Sequence, residues 1–176
     1  MSSSRLTPDD WLSAGFDTLQ SQGPAHLRAE PMARSLGTTK GSFYWHFADV
    51  PAFHDALIEA WRTRTLQTLA DVVSAEKPVD HRLRLFGRGV LSDRTETAMR
   101  VWAHSNATVD GMLQDVDAKR LNYLELLLRE VGLANPDFPR ALQAALIGLP
   151  QLAEPDGMAI RTAYDTLVDT ILALAE

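Results

Sequence analysis

Along this chain the apolar positions recur every three or four residues, and no stretch between turn signals alternates strictly apolar with polar. A spacing near 3.6 residues marks one face of a helix, whereas a half-buried strand needs a period of two. The pattern therefore predicts an all-α protein. Thr7-Pro8-Asp9-Asp10 starts the first helix: a hydroxyl caps it, proline stands where its missing N–H costs nothing, and the acids favour the helix dipole. Leu12, Phe16 and Leu19 form its apolar stripe, and Gly23-Pro24 ends it. A short second helix is expected from about residue 30 to 36, with Met32, Ala33 and Leu36 inward, followed by a turn at Gly37. Thr38 or Thr39 caps a third, from Lys40 to about Phe47. Pro51 opens a long fourth to about residue 75, striped by Phe53, Leu57, Trp61, Leu69 and Val72 or Val73. Beyond Lys77-Pro78, five more helices are expected near 81–91, 95–105, 109–131, 136–149 and 157–175, with stops at Gly132, Pro150 and Pro155.

Composition narrows what such a helical chain does. With 176 residues, 45% hydrophobic and 23% charged, a packed core is expected. There is no Cys, so disulfides and thiolate metal sites are excluded, which fits a cytoplasmic protein. Met1-Ser2-Ser3-Ser4-Arg5 offers no apolar stretch of a secretory signal, and the weakly polar run 141–153 is too short to cross a bilayer. Five histidines, at 26, 46, 54, 81 and 104, show no metal-ligand spacing; His-Glu-x-x-His, a phosphate-cradling glycine loop and a nucleophile elbow are all missing. An enzyme, a metal site, a cofactor and a membrane partner are accordingly not expected.

The second and third helices, joined by a glycine turn within about 18 residues, have the layout that presents one helix to a DNA major groove. At about 100° per residue, Phe43 and Phe47 share a face and anchor the third helix inward. Gly41 and Trp45 then point outward, flanked by Lys40 with Tyr44 on one shoulder and Ser42 with His46 on the other. Exposed donors and flat rings suit phosphate oxygens and thymine methyls; packing of Tyr44 and Trp45 on the fourth helix is the competing expectation. Charge weighs against a nucleic-acid role: the net charge is -6, and residues 1–62 carry five bases against seven acids.

The run Gly37-Thr38-Thr39-Lys40-Gly41-Ser42-Phe43-Tyr44-Trp45-His46-Phe47 resembles the third-helix signature of the TetR (tetracycline-repressor) family, and Met32-Ala33, Leu36, Gly23, Leu57 and Trp61 fall where that family's pattern puts them. Arg100, Trp102, Arg120 and Tyr123 are similar to positions of one subgroup. The resemblance implies a DNA-binding head at 5–50 and a regulatory and dimerisation body at 51–176. It further implies that Lys40, Gly41, Ser42, Tyr44, Trp45 and His46 face a double-stranded operator, with Tyr44 and His46 reaching phosphates. Two positions depart from the pattern: Val50-Pro51 stands where the family places Lys, and Ala29-Glu30-Pro31 where it often offers Thr or Arg. A head that binds a protein partner is the alternative those departures and the acidic balance suggest.

For the body, Ile160, Tyr164, Leu167, Ile171 and Leu174 repeat at 4, 3, 4, 3, and Phe138, Ala141, Leu142, Ala145, Leu146 and Leu149 stripe the preceding helix. Such stripes face either the protomer's own core or a second copy. The resemblance favours a homodimer paired through the last two helices, with Leu142, Leu146, Ile160, Tyr164, Leu167 and Ile171 at the seam. It also implies a repressor released by a small apolar or aromatic effector, enclosed among Trp61, Phe86, Met99, Trp102, His104, Met112 and Tyr123, with Trp102 and His104 the leading pair.

Overall fold

A computed structural model describes residues 6–152 and 157–175. Arg5, where the head is expected to begin, Pro155 and Glu176 lie outside the described residues. Within them the chain is helical: α1 Pro8–Gln22, α2 Ala29–Ser35, α3 Lys40–His46, α4 Val50–Val73, α5 Val79–Ser92, α6 Arg94–Ala103, α7 Ala107–Glu130, α8 Asp137–Gly148 and α9 Gly157–Leu172, with single 3-10 turns at Pro24–His26 and Leu149–Gln151. The helix ends match the expected ones to within two residues, except that α9 stops three residues early. None of the described helices is long and apolar enough to cross a membrane.

Side-chain caps explain much of this agreement. Thr7 and Asp10 form a reciprocal capping box on α1, Thr39 accepts from the Ser42 N–H at the start of α3, and Asp49 accepts from the Ala52 N–H at 2.7 Å to start α4. The Thr7 backbone N–H holds the exposed Asp10 carboxyl below the usual carboxylate range. Asp93 and Asn106 cap α6 and α7 in the same way. Asp10 and Asp49 thus serve the head's own helix ends, and Glu30 pairs with Arg34 at 3.0 Å.

The stripe expected on α1 is rotated. Trp11, Gly15, Thr18 and Leu19 face inward, while Leu12 and Phe16 are only half-buried. Gly15 sets this rotation, because α1 crosses α4 so closely that a methyl at Gly15 would lie 2.9 Å from both Leu57 and Phe53. On α4 the choice between two valines falls to Val72, which is buried, whereas Val73 is 49% exposed.

Apolar side chains gather in two clusters, one around Trp11, Phe43, Phe53 and Trp61 that also takes in Met99, Trp102 and the first half of α7, the other around Leu83, Leu124, Leu142 and Tyr164. The first cluster runs across residue 50 from head to body. α4 enters both, and the Tyr123 hydroxyl on α7 donates to the Val72 carbonyl at 3.2 Å, tying down its far end.

α9 lies on α5, and the contact depends on Gly87: a methyl there would sit 2.0 Å from the Tyr164 ring. Burial pushes the Tyr164 hydroxyl well above the ordinary phenol range. Arg84 pairs with Asp169 and, at 3.7 Å, with Asp165, while Arg88 reaches Asp165 at 3.3 Å. This arrangement corrects the expected dimer seam. Leu142, Leu146, Tyr164 and Ile171 are all buried within the protomer, so they have no surface to offer a second copy; Ile160 and Leu167 are half-buried. The apolar stripe packs on α5 because the charged flank of α9 is anchored there.

Candidate nucleic-acid interface and regulatory cavity

The third helix is positioned by one ring. Phe43 is fully buried and meets Trp11 at 5.4 Å and 86°, Phe53 at 5.3 Å and 72°, and Phe47 at 5.4 Å. Edge-to-face contacts of this kind add to the area buried and fix ring orientation. Gly37, with φ of 63°, supplies the left-handed turn that swings α3 away from α2. With Phe43 anchored, the opposite face of α3 is turned outward: Trp45 is 76% exposed and Tyr44 45%. Packing of these rings on α4 is therefore not what the fold adopts.

Lys40 and Gly41 are exposed with them, and Ser42 and His46 are half-buried on the other shoulder. The Lys40 ammonium lies 5.7 Å from the centre of the Tyr44 ring, so cation and ring form one surface. At Gly41 a methyl group would meet only Thr39 Oγ1, at an ordinary 3.6 Å. Nothing in the protomer demands glycine there.

Arg28 and Arg34 join this surface. Together with Lys40, Tyr44 and Val50 they border a groove of about 560 Å³ between α2, α3 and the start of α4. Helical spacing gives no signal for Arg28, because it precedes α2 as its N-cap residue. The useful signal was adjacency, since Arg28 stands directly before the Ala29-Glu30-Pro31 segment where a phosphate contact seemed lost.

The residues expected to enclose an effector do not converge. Trp61, Met99, Trp102 and Met112 are buried in the first cluster, Phe86 and Tyr123 in the second. His104 is exposed, its Nδ1 2.8 Å from the Arg100 carbonyl, because it follows the last turn of α6. Trp102 instead packs edge-on against His54 at 5.1 Å, and the His54 Nε2 lies 2.9 Å from the Leu27 carbonyl. Trp102 and His104 therefore line no common space.

Polar joints, invisible to periodicity, connect the body to the head. Asp93, between α5 and α6, accepts from the Thr95 N–H at 2.9 Å and from the Trp61 indole N–H on α4 at 3.1 Å. The Thr95 hydroxyl accepts from Gln20 on α1 at 2.9 Å and from Arg64 on α4 at 3.2 Å. At the next residue of α6, buried Glu96 accepts two bonds of 2.8 Å from Arg120 on α7 and a 2.7 Å bond from Arg100, which also binds Asp117. Burial alone would raise the Glu96 carboxyl, but the Arg120 and Arg100 guanidinium groups outweigh it and hold the carboxyl below its usual range. Asp117 holds the half-buried Arg100 protonated against the same desolvation.

Two cavities of about 140 Å³ each flank Asp93. One lies between α4, α5 and α7, with Leu69, Val72, Phe86 and Val90 on its walls and Thr65, Asp93 and Arg120 at its polar end. Phe86 alone of the expected pocket residues borders it. The other, toward α8 and α9, is bordered by Glu96, Arg100, Ile147 and Ile160. Among the described residues, no group of three or more His, Asp or Glu side chains is placed to hold a metal ion.

On the far side of α8 and α9 the surface is small and, beyond the exposed Asp137–Arg140 pair at the start of α8, uncharged. Ala141, Ala144 and Gly148 are exposed on α8, and Ala159, Thr162, Ala163, Thr166 and Thr170 on α9. The hydroxyls of Thr162, Thr166 and Thr170 each donate to the carbonyl four residues earlier, at 2.8 to 2.9 Å.

No family model matches the chain, and no curated protein matches it. Solved structures do. A transcriptional regulator from Rhodococcus sp. Rha1 superposes with a TM-score of 0.78 at 18% identity, over 96% of this chain and 97% of its own. A Rhodococcus sp. transcriptional regulator described as of the TetR family gives 0.77 at 16% identity, over 94% and 98%. SmeT, the repressor of the Stenotrophomonas maltophilia multidrug efflux pump SmeDEF, gives 0.69 at 22% identity, over 97% and 90%, and has also been solved in complex with triclosan. These likenesses span the whole chain and establish that it has the fold of TetR-type regulators.

Proposed function

We propose that this chain is a TetR-type, homodimeric, DNA-binding transcriptional regulator, with residues 5–50 as the reading head and 51–176 as the regulatory body. The observation that carries this reading is α3: a seven-residue helix nailed inward by Phe43, with Trp45 76% exposed beside Lys40, Tyr44 and His46. That set puts donors and two large rings on one surface, and a major groove offers phosphates to Lys40, Tyr44 and His46 and base edges to Ser42 and Trp45. Gly41 lets the groove approach the helix backbone. Arg28 and Arg34 extend the phosphate path across α2 and replace the Lys that the start of α4 lacks.

Two heads are needed to read two half-sites, and the small uncharged face of α8 and α9 is where a second copy is expected to pack. Small side chains let four helices approach closely, and hydroxyls already bonded within α9 lose little when water leaves. Ile160 and Leu167 border this face.

Regulation follows from α4, which carries Phe53 and Leu57 under the head and Thr65 and Val72 beside the cavity. A molecule that fits only one placement of α4 shifts the population of head orientations and so the affinity for DNA. That SmeT has been solved with triclosan supports a small-molecule effector here, and release of a repressed operator is the expected response.

The test is binding to the DNA upstream of the chain's own coding region across a salt series, with Trp45→Ala and Tyr44→Ala in parallel. The wild type is expected to bind with affinity that falls steeply with salt. Both variants are expected to melt within about 0.5 kcal/mol of wild type, as exposed positions do, while losing tenfold or more in affinity. A folded dimer that fails to bind at low salt would overturn the reading in favour of a protein partner.

A further inference from the structure

We infer that the cavity between α4, α5 and α7 binds a compact, uncharged ring bearing one hydroxyl, with the size and polarity of phenol. This inference rests on the regulator reading above and names the effector class for it. Size is the first argument. A volume of about 140 Å³ is close to the ~150 Å³ known to hold a single benzene ring. The walls formed by Leu69, Val72, Phe86 and Val90 suit such a ring.

The second argument is an unpaired buried hydroxyl. Thr65 is buried, lines the cavity, and its Oγ1 has no hydrogen-bond partner. Thr162, Thr166 and Thr170 bond back to the carbonyl four residues earlier, and Thr68, one turn along on the same helix as Thr65, does so at 3.0 Å. Thr65 has the same option and does not use it. A buried hydroxyl left unpaired costs roughly 1–3 kcal/mol, so a ligand that supplies a partner recovers that cost.

Charge sets the third constraint. Arg120 at the polar end is held by both oxygens of Glu96 at 2.8 Å, and Arg64 at the rim faces Asp93 at 3.7 Å. The fixed charges already balance, so a carboxylate or ammonium ligand would enter without a counter-ion and lose its hydration. Phenol is neutral near pH 7. At the second cavity across Asp93, the carboxylates and guanidinium of Glu96, Asp93 and Arg100 are all engaged.

The position also supplies the readout. Asp93 borders the cavity while holding the Trp61 indole and the start of α6, and Arg64 borders it while reaching Thr95, to which Gln20 of α1 is bonded. A ligand hydroxyl placed at Thr65 and Asp93 competes for the group that ties α4 to α6, and the head feels the change through α1 and α4.

Calorimetric titration of the full-length protein with phenol, toluene and benzoate, without DNA, tests the site. Phenol is expected to bind at least tenfold more tightly than benzoate. Thr65→Val, close in shape, is expected to weaken phenol about tenfold and leave toluene within twofold. Gly89→Ala puts a methyl 3.5 Å from Thr68 Cγ2, an ordinary contact, and is expected to weaken phenol and toluene alike without loss of thermal stability. Benzoate binding as tightly as phenol, an unchanged Thr65→Val, or no phenol binding by the folded protein would each overturn the assignment. Phenol added to a preformed DNA complex is expected to lower DNA affinity; binding that leaves it unchanged overturns the effector role but not the site. Failure to bind DNA at all is a separate result and bears on the regulator reading alone.

Discussion

In the head, a single ring at the centre of three others fixes where the outward face of α3 points; in the body, α6 is fixed to its neighbours by carboxylates, guanidinium groups and one indole N–H. Phe43 has no polar atom and no alternative partner, so its packing is either present or lost. The joints at Asp93 and Glu96 are directional, lie beside cavities and involve groups that another molecule can compete for. A reading surface gains from the first kind of construction, because its side chains must arrive already placed. A region that reports on a ligand gains from the second, because its contacts can be exchanged one at a time.

The contrast breaks most sharply under pH. Phe43→Ala is expected to cost about 3–5 kcal/mol at any pH at which the protein is folded. Glu96→Gln leaves Arg100 and Arg120 facing a neutral amide and is expected to cost a comparable ~3–5 kcal/mol near neutrality. Its effect is pH-dependent. Because the folded Glu96 carboxyl lies below its ordinary value of 4.5, its contribution is complete above that value and is lost as pH falls through the folded value. Chemical denaturation at pH 7 and in steps below 4.5 should show the wild type converging on Glu96→Gln in acid, while the gap to Phe43→Ala stays constant.

A smaller effect tests the packing of the body by itself. Gly87→Ala forces the Tyr164 ring or α9 to move and is expected to cost about 1–3 kcal/mol, with dimerisation weakened because α9 carries the proposed pairing face. Thermal melts at several protein concentrations would separate the two contributions. An unaltered melt would mean that α5 and α9 are less closely seated than Gly87 implies.

The smallest effect sharpens the account of the head. Gly41→Ala introduces no clash and is expected to stabilise α3 by up to about 1 kcal/mol while weakening DNA binding. A variant that is more stable and binds equally well would remove the case for close backbone approach at that position.

How far each of these features could be read from the chain depended on what kind of neighbour it has. The inward placement of Phe43 and Phe47 and the outward placement of Trp45 follow from helical spacing, because a seven-residue helix with two phenylalanines has one apolar side. Tyr164 and Ile171 were equally legible as an apolar stripe, but spacing does not say whether α5 or a second copy covers it; Arg84 with Asp165 and Asp169 decided that. Trp61, Met99 and Trp102 drew attention as bulky groups between head and interface, yet large side chains fill space. The cavities lie instead where Thr65, Gly89 and Val90 leave it unfilled, and small residues carry no pattern that stands out in a sequence. Asp93 gives no signal for a related reason: the Trp61 indole from which it accepts lies 32 residues earlier in the chain. The resemblance singled out Arg100 and Arg120 without a reason, and the shared Glu96 supplies it.

The length of α4 has a mechanical consequence. Its 24 residues make a rod of about 36 Å, stiffened along its length by the helix's own hydrogen bonds and pinned near one end by Tyr123. Turned about that pin, such a lever converts a swing of only ~5° into a displacement of ~3 Å at its other end, about the ~3.4 Å rise from one base pair to the next. A cleft that opens by less than the width of one carbon atom near the pin is therefore enough, under the proposed function, to put α3 out of step with the base pairs it would face.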